Sequence, residues 1–275
     1  MDFNEALQSR IATFKSQYPL PDSLKARLIE PSMPFYGTKI LTQAVTALLE
    51  GENLLLCGDK ATGKNILAEN LAWIFGRPTY NISFHVNTDS SSLIGTDTFK
   101  NNEVTLRQGP IYQCAVSGGF GILDEINMAK NDAVAVLHAV LDYRRIMDVP
   151  GYEKIALHPA TRFIGTMNYG YAGTKELNEA LVSRFMVINM PPLSMERLEQ
   201  IFKKYLSSHQ ARCPGTILWS VFRLTVKSKK WRNFHKGSRY AWAYRCPSPG
   251  SWWSKSNGAV EWVLLIRALT ILNVN

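Results

Sequence analysis

The sequence contains little cysteine and no long apolar segment. Only four of its 275 residues are cysteine, without CxxC spacing or a nearby histidine cluster. This excludes a disulfide framework and a zinc site as organising features and predicts reduced thiols. No apolar run reaches the roughly 18–20 residues that a membrane-spanning helix requires, and the N-terminus lacks the basic-then-apolar order of a signal peptide. We therefore predict a cytoplasmic protein without a membrane span.

Acidic residues are almost missing from the last part of the chain. Residues 200–275 hold 13 Lys and Arg but one acid, Glu261, so the net charge of +9 arises there. Six of the seven Trp also lie beyond residue 213, where helical periodicity is lost. A lid should be a bundle of amphipathic helices, so we interpret this tail as read in a shifted frame or derived from a disrupted gene. The alternatives are an unusual basic extension and, less favoured, a nucleic-acid-binding arm.

Short apolar strands alternate with helices before that tail. Continuous apolar strands separated by helices indicate a parallel sheet covered on both faces, a three-layer α/β/α fold. The five predicted strands are residues 53–57, 79–86, 119–123, 162–167 and 185–190, and the helices between them include 39–49, 65–75 and 131–141. Segments 101–110 and 144–157 interrupt this rhythm as inserted hairpins or loops. We predict a helical lead-in (1–35), an α/β domain (36–192) and a lid remnant or atypical tail (193–275).

The first strand ends in the turn GDKATGKN, which precedes a helix. This is the strand–loop–helix setting of the GxxxxGK phosphate-binding loop, in which backbone N–H groups and a helix N-terminus surround phosphates. Lys64 is expected to reach the β- and γ-phosphates. Asn65 replaces the usual Ser or Thr ligand of Mg²⁺, and its carboxamide oxygen is also a suitable ligand. We predict ATP and Mg²⁺ as cofactors, bound by Gly58, Asp59, Lys60, Ala61, Thr62, Gly63, Lys64 and Asn65.

Three further strand or helix ends carry candidate catalytic groups. Asp124 and Glu125 end an apolar strand, where Asp124 would hold Mg²⁺ and Glu125 would orient the attacking water. The alternative is an acidic pair that caps the next helix. Asn168 ends the strand FIGTMN and would point at the γ-phosphate, or be an ordinary turn residue. Arg184 follows LNEALV and is either a helix C-terminal charge or a finger that reaches into a neighbouring subunit.

Together these phrases resemble the MoxR branch of the AAA+ ATPases, which is related to the midasin and gas-vesicle GvpN modules. The resemblance covers residues 30–205 and includes SSLIGTDTF, GPIYQCAVSGGFGILDEINMAKNDAVAVLHAVLD, ATRFIGTMN and LNEALVSRF. In that family the Walker A lysine matches Lys64, the Walker B acids match Asp124 and Glu125, sensor 1 matches Asn168, and the arginine finger matches Arg184. Residues 93–110 resemble its substrate-facing helix-2 insert.

The resemblance implies an ATP-hydrolysing hexameric ring with a chaperone-like task. The ring would remodel a partner, often a von Willebrand A-type protein. The family's helical lid, with its sensor-2 arginine, has no match in the tail. Two other functions stay open: a nucleotide-binding scaffold with little turnover, because of Asn65, and a nucleic-acid motor, which only the basic tail favours.

Overall fold

The computed structural model describes residues 3–100, 102–149, 151–168, 177–192 and 200–201. Apart from the helical residues 200–201, the described helices and strands lie in one compact unit that extends to Pro192. The predicted lid and basic tail, and with them the frame-shift hypothesis, lie outside the described residues apart from the pair 200–201. Among the helices that are described, none has the length and apolarity needed to cross a membrane.

A parallel five-stranded sheet forms the centre of this unit, as predicted. Its strands are β1 (Leu54–Gly58), β2 (Thr79–Ser83), β5 (Phe120–Asp124), β8 (Arg162–Asn168) and β9 (Met186–Asn189), in the order β2-β5-β8-β1-β9. All four pairings are parallel. The second strand ends three residues earlier than predicted. The backbone turns there, because the His85 amide donates to the Thr88 hydroxyl at 3.0 Å.

Helices cover both faces of the sheet and make three layers. They are α1 (Glu5–Gln17), α2 (Thr38–Leu49), α3 (Lys64–Phe75), α4 (Ser90–Ile94), α5 (Pro110–Ser117), α6 (Asn131–Val140) and the single turn α7 (Glu179–Val182). Side chains alternate along β1, as strand geometry requires. Leu54 and Leu56 pack in one core cluster with α1, α2 and α3, whereas Leu55 and Cys57 pack in another with α4, α5 and α6.

Two antiparallel hairpins project from the main sheet, close to the two predicted insertions. The first pairs β3 (Gly95–Lys100) with β4 (Glu103–Gln108), and the second pairs β6 (Ile146–Met147) with β7 (Ile155–Ala156). The first hairpin begins six residues before the predicted segment 101–110, because residues 95–100 supply its outgoing strand. The helices α4 and α5 were not expected from the sequence.

Buried Arg77 fastens two helix ends to the sheet. Its side chain is 1% exposed and donates to the carbonyl oxygens of Tyr18 (2.7 Å), Gly118 (2.7 Å) and Ser117 (3.1 Å). These carbonyls lie at the C-terminal ends of α1 and α5, where helices leave acceptors without internal partners. Burial lowers the pKa of the Arg77 guanidinium. In the described part of the chain, backbone carbonyl dipoles hold this charge and no carboxylate contacts it.

We expect Arg77→Met to lower the free energy of unfolding by about 3 kcal/mol, because three acceptors lose a charged donor in buried surroundings. Urea denaturation followed by circular dichroism measures the change. Arg107→Met, at an exposed position in β4, is the matched control and should change stability by less than about 0.5 kcal/mol. Equal losses in both variants would show that the carbonyl contacts of Arg77 contribute nothing specific.

Candidate functional site

The candidate site lies at one edge of the sheet, where three neighbouring strands end. Because β1, β5 and β8 are parallel, their carboxyl ends meet at the same edge. Gly58, the first residue of the predicted phosphate loop, pairs with Asn168 of β8. Leu123 of β5 pairs with Gly165, which is also in β8, so β8 lies between β1 and β5. The topology thus brings the loop, the acidic pair and Asn168 together.

The predicted phosphate loop connects β1 to α3. Gly63 adopts a left-handed conformation (φ 86°), which glycine reaches without strain. A Cβ at Gly58 would lie 2.7 Å from the Met190 carbonyl oxygen, so this close approach also requires glycine. Helix α3 starts at Lys64, one residue earlier than predicted, and no side chain caps its N-terminus. Its first N–H groups therefore offer donors and partial positive charge to an anion.

Lys64 places a buried cation inside this loop. Its side-chain nitrogen donates to the Gly58 carbonyl (3.0 Å), the Asp59 carbonyl (2.6 Å) and the Thr62 hydroxyl (3.4 Å). The residue is 6% exposed. Burial lowers the pKa of its ammonium group, and the nearby charges of Asp59 and Asp124 oppose that change. Phosphate oxygens can replace the loop carbonyls as acceptors, so the geometry fits a polyphosphate.

Asp124 and Asn65, the two predicted metal ligands, are direct neighbours. The Asn65 amide nitrogen donates to Asp124 Oδ2 at 3.2 Å, and the Thr166 hydroxyl donates to Asp124 Oδ1 at 2.6 Å. A carboxylate beside a carboxamide supplies the oxygen ligands that Mg²⁺ prefers. Among the described residues there is no group of three or more His, Cys, Asp or Glu side chains that could hold a metal. Mg²⁺ needs none, because one or two carboxylates and substrate phosphates hold it.

Glu125 and Asn168 form the outer part of the site. Asn168 Nδ2 donates to Glu125 Oε1 at 3.4 Å. Asn127 Nδ2 donates to the Asn168 carbonyl oxygen at 3.1 Å, and the buried Asn127 Oδ1 has no partner in the described part of the chain. Glu125 is exposed and has a left-handed backbone, with φ 54°. A carboxylate that is open to water and aligned by an amide suits the role of a base.

Arg184 stands apart from this network. Its Nη1 donates to the Ala180 carbonyl oxygen and its Nη2 lies 3.7 Å from Asp142 Oδ2, while its buried Nε has no partner among the described residues. The Ala180 contact is one that a helix-end arginine makes in its own chain. Within the described ranges, no contact joins Arg184 to the phosphate loop, to Asp124 or to Glu125.

Neither Thr166 nor Asp142 was among the site residues expected from the sequence. Thr166 lies two residues before Asn168 in β8, so strand alternation places both side chains on one face of the strand. This two-residue period could have indicated from the sequence that Thr166 lies on the same face as Asn168. Asp142 has no comparable signal, because it lies just beyond the C-terminal end of α6.

Comparison with known proteins shows which family this domain resembles. Residues 53–185 match the model described as AAA domain (dynein-related subfamily). That span runs from the residue before β1 to the residue before β9, so it includes the phosphate loop, both acids, Asn168 and Arg184. This part of the chain is similar to AAA domains. An AAA domain implies nucleotide binding, and the three-layer parallel sheet is the fold expected of a P-loop AAA+ ATPase.

Relatives of this chain occur among bacterial proteins. The chain is 34% identical over 202 residues to the uncharacterized protein YojN of Bacillus subtilis (strain 168). This alignment covers 72% of the chain and 66% of YojN. It is 36% identical over 159 residues to an uncharacterized protein of Staphylococcus aureus (strain USA300). That alignment covers 56% of the chain and 60% of the relative. The chain thus spans between 60% and 66% of the length of these relatives.

A solved structure supports the same fold. The crystal structure of a candidate ATPase from Cytophaga hutchinsonii ATCC 33406 matches with a TM-score of 0.53 and 19% sequence identity. The match covers 73% of this chain and 56% of the other chain. At this identity the likeness concerns the architecture of the domain.

Proposed function

We propose that this chain is a MoxR-like AAA+ ATPase that binds and hydrolyses Mg-ATP and acts in a ring to remodel a partner protein. The observation that supports it is the continuous network at the sheet edge. It runs from Asn65, which follows Lys64 in the chain, through Asp124 to Thr166, and from there through Glu125 to Asn168. A polyphosphate cradle, a metal-binding carboxylate and an aligned base are the groups that ATP hydrolysis requires.

Each residue has a separate task in the proposed reaction. The loop amides and Lys64 bind and orient the phosphates, and Asp124 with Asn65 would hold Mg²⁺. When bound, Mg²⁺ neutralises charge that develops on the phosphoryl oxygens. Glu125 accepts the proton of the attacking water, and Asn168 keeps its carboxylate in position through the 3.4 Å hydrogen bond. The protein therefore contributes positioning and electrostatic stabilisation.

Ring assembly and partner remodelling rest on two features outside this network. Arg184 makes no contact with the described groups of its own site, which suits action on the nucleotide of a neighbouring subunit. The hairpin of β3 and β4 carries Phe99 (73% exposed) and Val104 (62% exposed) as directly opposed residues. Two apolar side chains on an exposed hairpin suit contact with a protein substrate. We propose a hexamer, a von Willebrand A-type partner and a cytoplasmic location.

A nucleotide-binding scaffold with little turnover is a second candidate function. The observation that favours it is the direction of the hydrogen bond between Asn65 and Asp124, in which the Asn65 amide donates. Position 65 usually carries a hydroxyl group that binds Mg²⁺. Here its side-chain amide is hydrogen-bonded to the Asp124 carboxylate instead. Phosphate release by the wild-type protein in the presence of Mg²⁺ separates the two functions, because a scaffold binds ATP without steady turnover.

Lys64→Ala tests nucleotide binding directly. We expect its affinity for ATP to fall by about 2–5 kcal/mol, or about 30- to 4,000-fold in Kd, because a buried cation that faces the phosphates is lost. Isothermal titration calorimetry measures Kd for both proteins. Lys39→Ala, at an exposed position in α2, is the control and should bind ATP like the wild type. Undiminished affinity of Lys64→Ala would contradict the phosphate-loop assignment.

A further inference from the structure

Thr166 contacts both Asp124 and Glu125, and it has no role in the reaction proposed above. It is in β8, pairs with Leu56 of β1 and is 1% exposed. A buried hydroxyl needs hydrogen-bond partners. Both of its hydrogen-bond partners, Asp124 and Glu125, belong to the acidic pair at the end of the neighbouring strand β5.

The directions of its two hydrogen bonds are fixed by chemistry. The Thr166 hydroxyl donates to Asp124 Oδ1 at 2.6 Å, because an ionised carboxylate only accepts. The Glu125 backbone N–H donates to the same hydroxyl oxygen at 3.2 Å, because a backbone N–H only donates. The hydroxyl is therefore donor to one acid and acceptor from the other. No apolar side chain of the same shape can replace it.

The first bond orients the Asp124 carboxylate. An O–H···O⁻ contact of 2.6 Å lies in the range of charge-assisted hydrogen bonds, which are stronger and geometrically stricter than neutral ones. With Oδ1 held by Thr166, Oδ2 is the oxygen that faces Asn65. Thr166 thus selects which carboxylate oxygen is presented where the metal is expected.

The second bond holds the backbone of Glu125. This residue has φ 54° and ψ 46°, a left-handed conformation that non-glycine residues adopt only when their surroundings enforce it. Its N–H group, directed at Thr166, is one such constraint. The left-handed turn sets the direction in which the Glu125 side chain leaves the strand, toward Asn168.

We propose that Thr166 is a positioning residue that sets the Asp124 carboxylate and the Glu125 backbone with one hydroxyl group, so that metal binding and water activation are aligned together. This inference rests on the proposed function of the two acids. The simpler alternative is a buried threonine that only satisfies its own hydroxyl. In that case its loss would reduce stability and leave the site unaffected.

Thr166→Val removes the hydroxyl and keeps the shape of the side chain. We expect kcat for ATP hydrolysis to fall about 10- to 100-fold, and the Mg²⁺ concentration for half-maximal ATP binding to rise by a similar factor, as for other partners that orient metal ligands. ATP binding in a Mg²⁺ series is measured by calorimetry and kcat by phosphate release. Thr166→Ser, which keeps the hydroxyl, should stay within about threefold of the wild type in both measurements.

Thr161→Val is the matched control. Thr161 is equally buried (1% exposed), and among the described residues its hydroxyl donates only to the backbone carbonyls of Cys114 and Ala115. We expect it to lower the melting temperature without a change in kcat or Mg²⁺ dependence. Wild-type kcat and Mg²⁺ dependence in Thr166→Val would overturn the proposal, as would equal changes in Thr161→Val.

Two further results keep the test decisive. If Thr166→Val does not fold, Thr166→Cys replaces it, since a thiol is a weak donor of similar size. A Cys variant with unchanged Mg²⁺ dependence then overturns the inference. A wild-type protein that binds Mg-ATP without turnover contradicts hydrolysis but still permits the Mg²⁺ series. If the wild type binds no Mg-ATP, the proposed function and this inference both fail.

Discussion

Arg184→Ala is expected to lower kcat for ATP hydrolysis by about 10³- to 10⁵-fold while each subunit keeps its affinity for ATP. An arginine that stabilises charge on a transferring phosphoryl group contributes about this factor in related systems, equivalent to about 4–7 kcal/mol. Arg184 contacts Ala180 and Asp142, and no described contact joins it to the loop that binds its own nucleotide. Phosphate release and calorimetry measure the two quantities. Arg144→Ala, which removes the other guanidinium bound to Asp142, is the control and should keep wild-type turnover.

Mixing experiments locate the subunit on which Arg184 acts. Arg184→Ala has an intact phosphate loop, and Lys64→Ala has an intact Arg184, so neither variant alone is expected to hydrolyse ATP. In an equimolar mixture of ring subunits, about a quarter of the interfaces join an intact loop to an intact arginine. We expect hydrolysis to return at those interfaces. An inactive mixture, from a wild type that assembles and hydrolyses ATP, would show that Arg184 is a helix-end charge.

Glu125→Gln is expected to lower kcat by about 10²- to 10⁴-fold, which is the range for loss of a general base. The substitution removes the carboxylate that accepts the proton of the attacking water. Lys64, Asn65 and Asp124 remain in place, so ATP affinity should stay close to that of the wild type. In the proposed ring, the result is an assembly that holds ATP without releasing phosphate.

Rapid-quench measurement of phosphate release and a filter-binding assay for ATP give the two readouts for Glu125→Gln. Glu153→Gln provides the control, because Glu153 is exposed and has no described contact with the site. Wild-type turnover in Glu125→Gln would reduce Glu125 to an acid at a strand end. Loss of ATP binding in this variant would instead indicate that Glu125 takes part in holding the nucleotide.

The main sheet could be predicted because its signal is local. The central strands are short apolar runs that end in glycine, acid or amide residues, and all five lie close to the predicted positions. A strand buried on both faces needs such a run, so pattern and structure coincide. The same logic placed Lys64, Asp124 and Asn168 at one edge, since parallel strands share their carboxyl ends.

Features that depend on contacts between distant residues could not be predicted in the same way. The hydrogen bonds of Thr166 cross from β8 to β5, and those of Arg77 join residues about 40 and 59 positions away. No single-sequence periodicity reports such pairs. Helix α4 did have a local signal, the capping box of Asp89 and Ser92. Its five residues are too short for an apolar period to be recognised.

The position of β9 has a consequence for communication between subunits. β9 begins two residues after Arg184 and is hydrogen-bonded along β1, which leads directly into the phosphate loop. The Met186 amide donates to the Asn53 carbonyl oxygen, and the Met190 amide donates to that of Cys57, so the ladder is tied at both ends. Arg184 therefore lies next to the amino-terminal end of this ladder, whereas the phosphate loop follows its carboxyl-terminal end, so the two are at opposite edges of the sheet. Adjacent parallel strands lie about 4.8 Å apart and are joined by evenly spaced backbone hydrogen bonds. In the proposed ring, the ladder of β9 and β1 is thus the direct connection between the loop that binds a subunit's own nucleotide and the arginine that it offers to its neighbour.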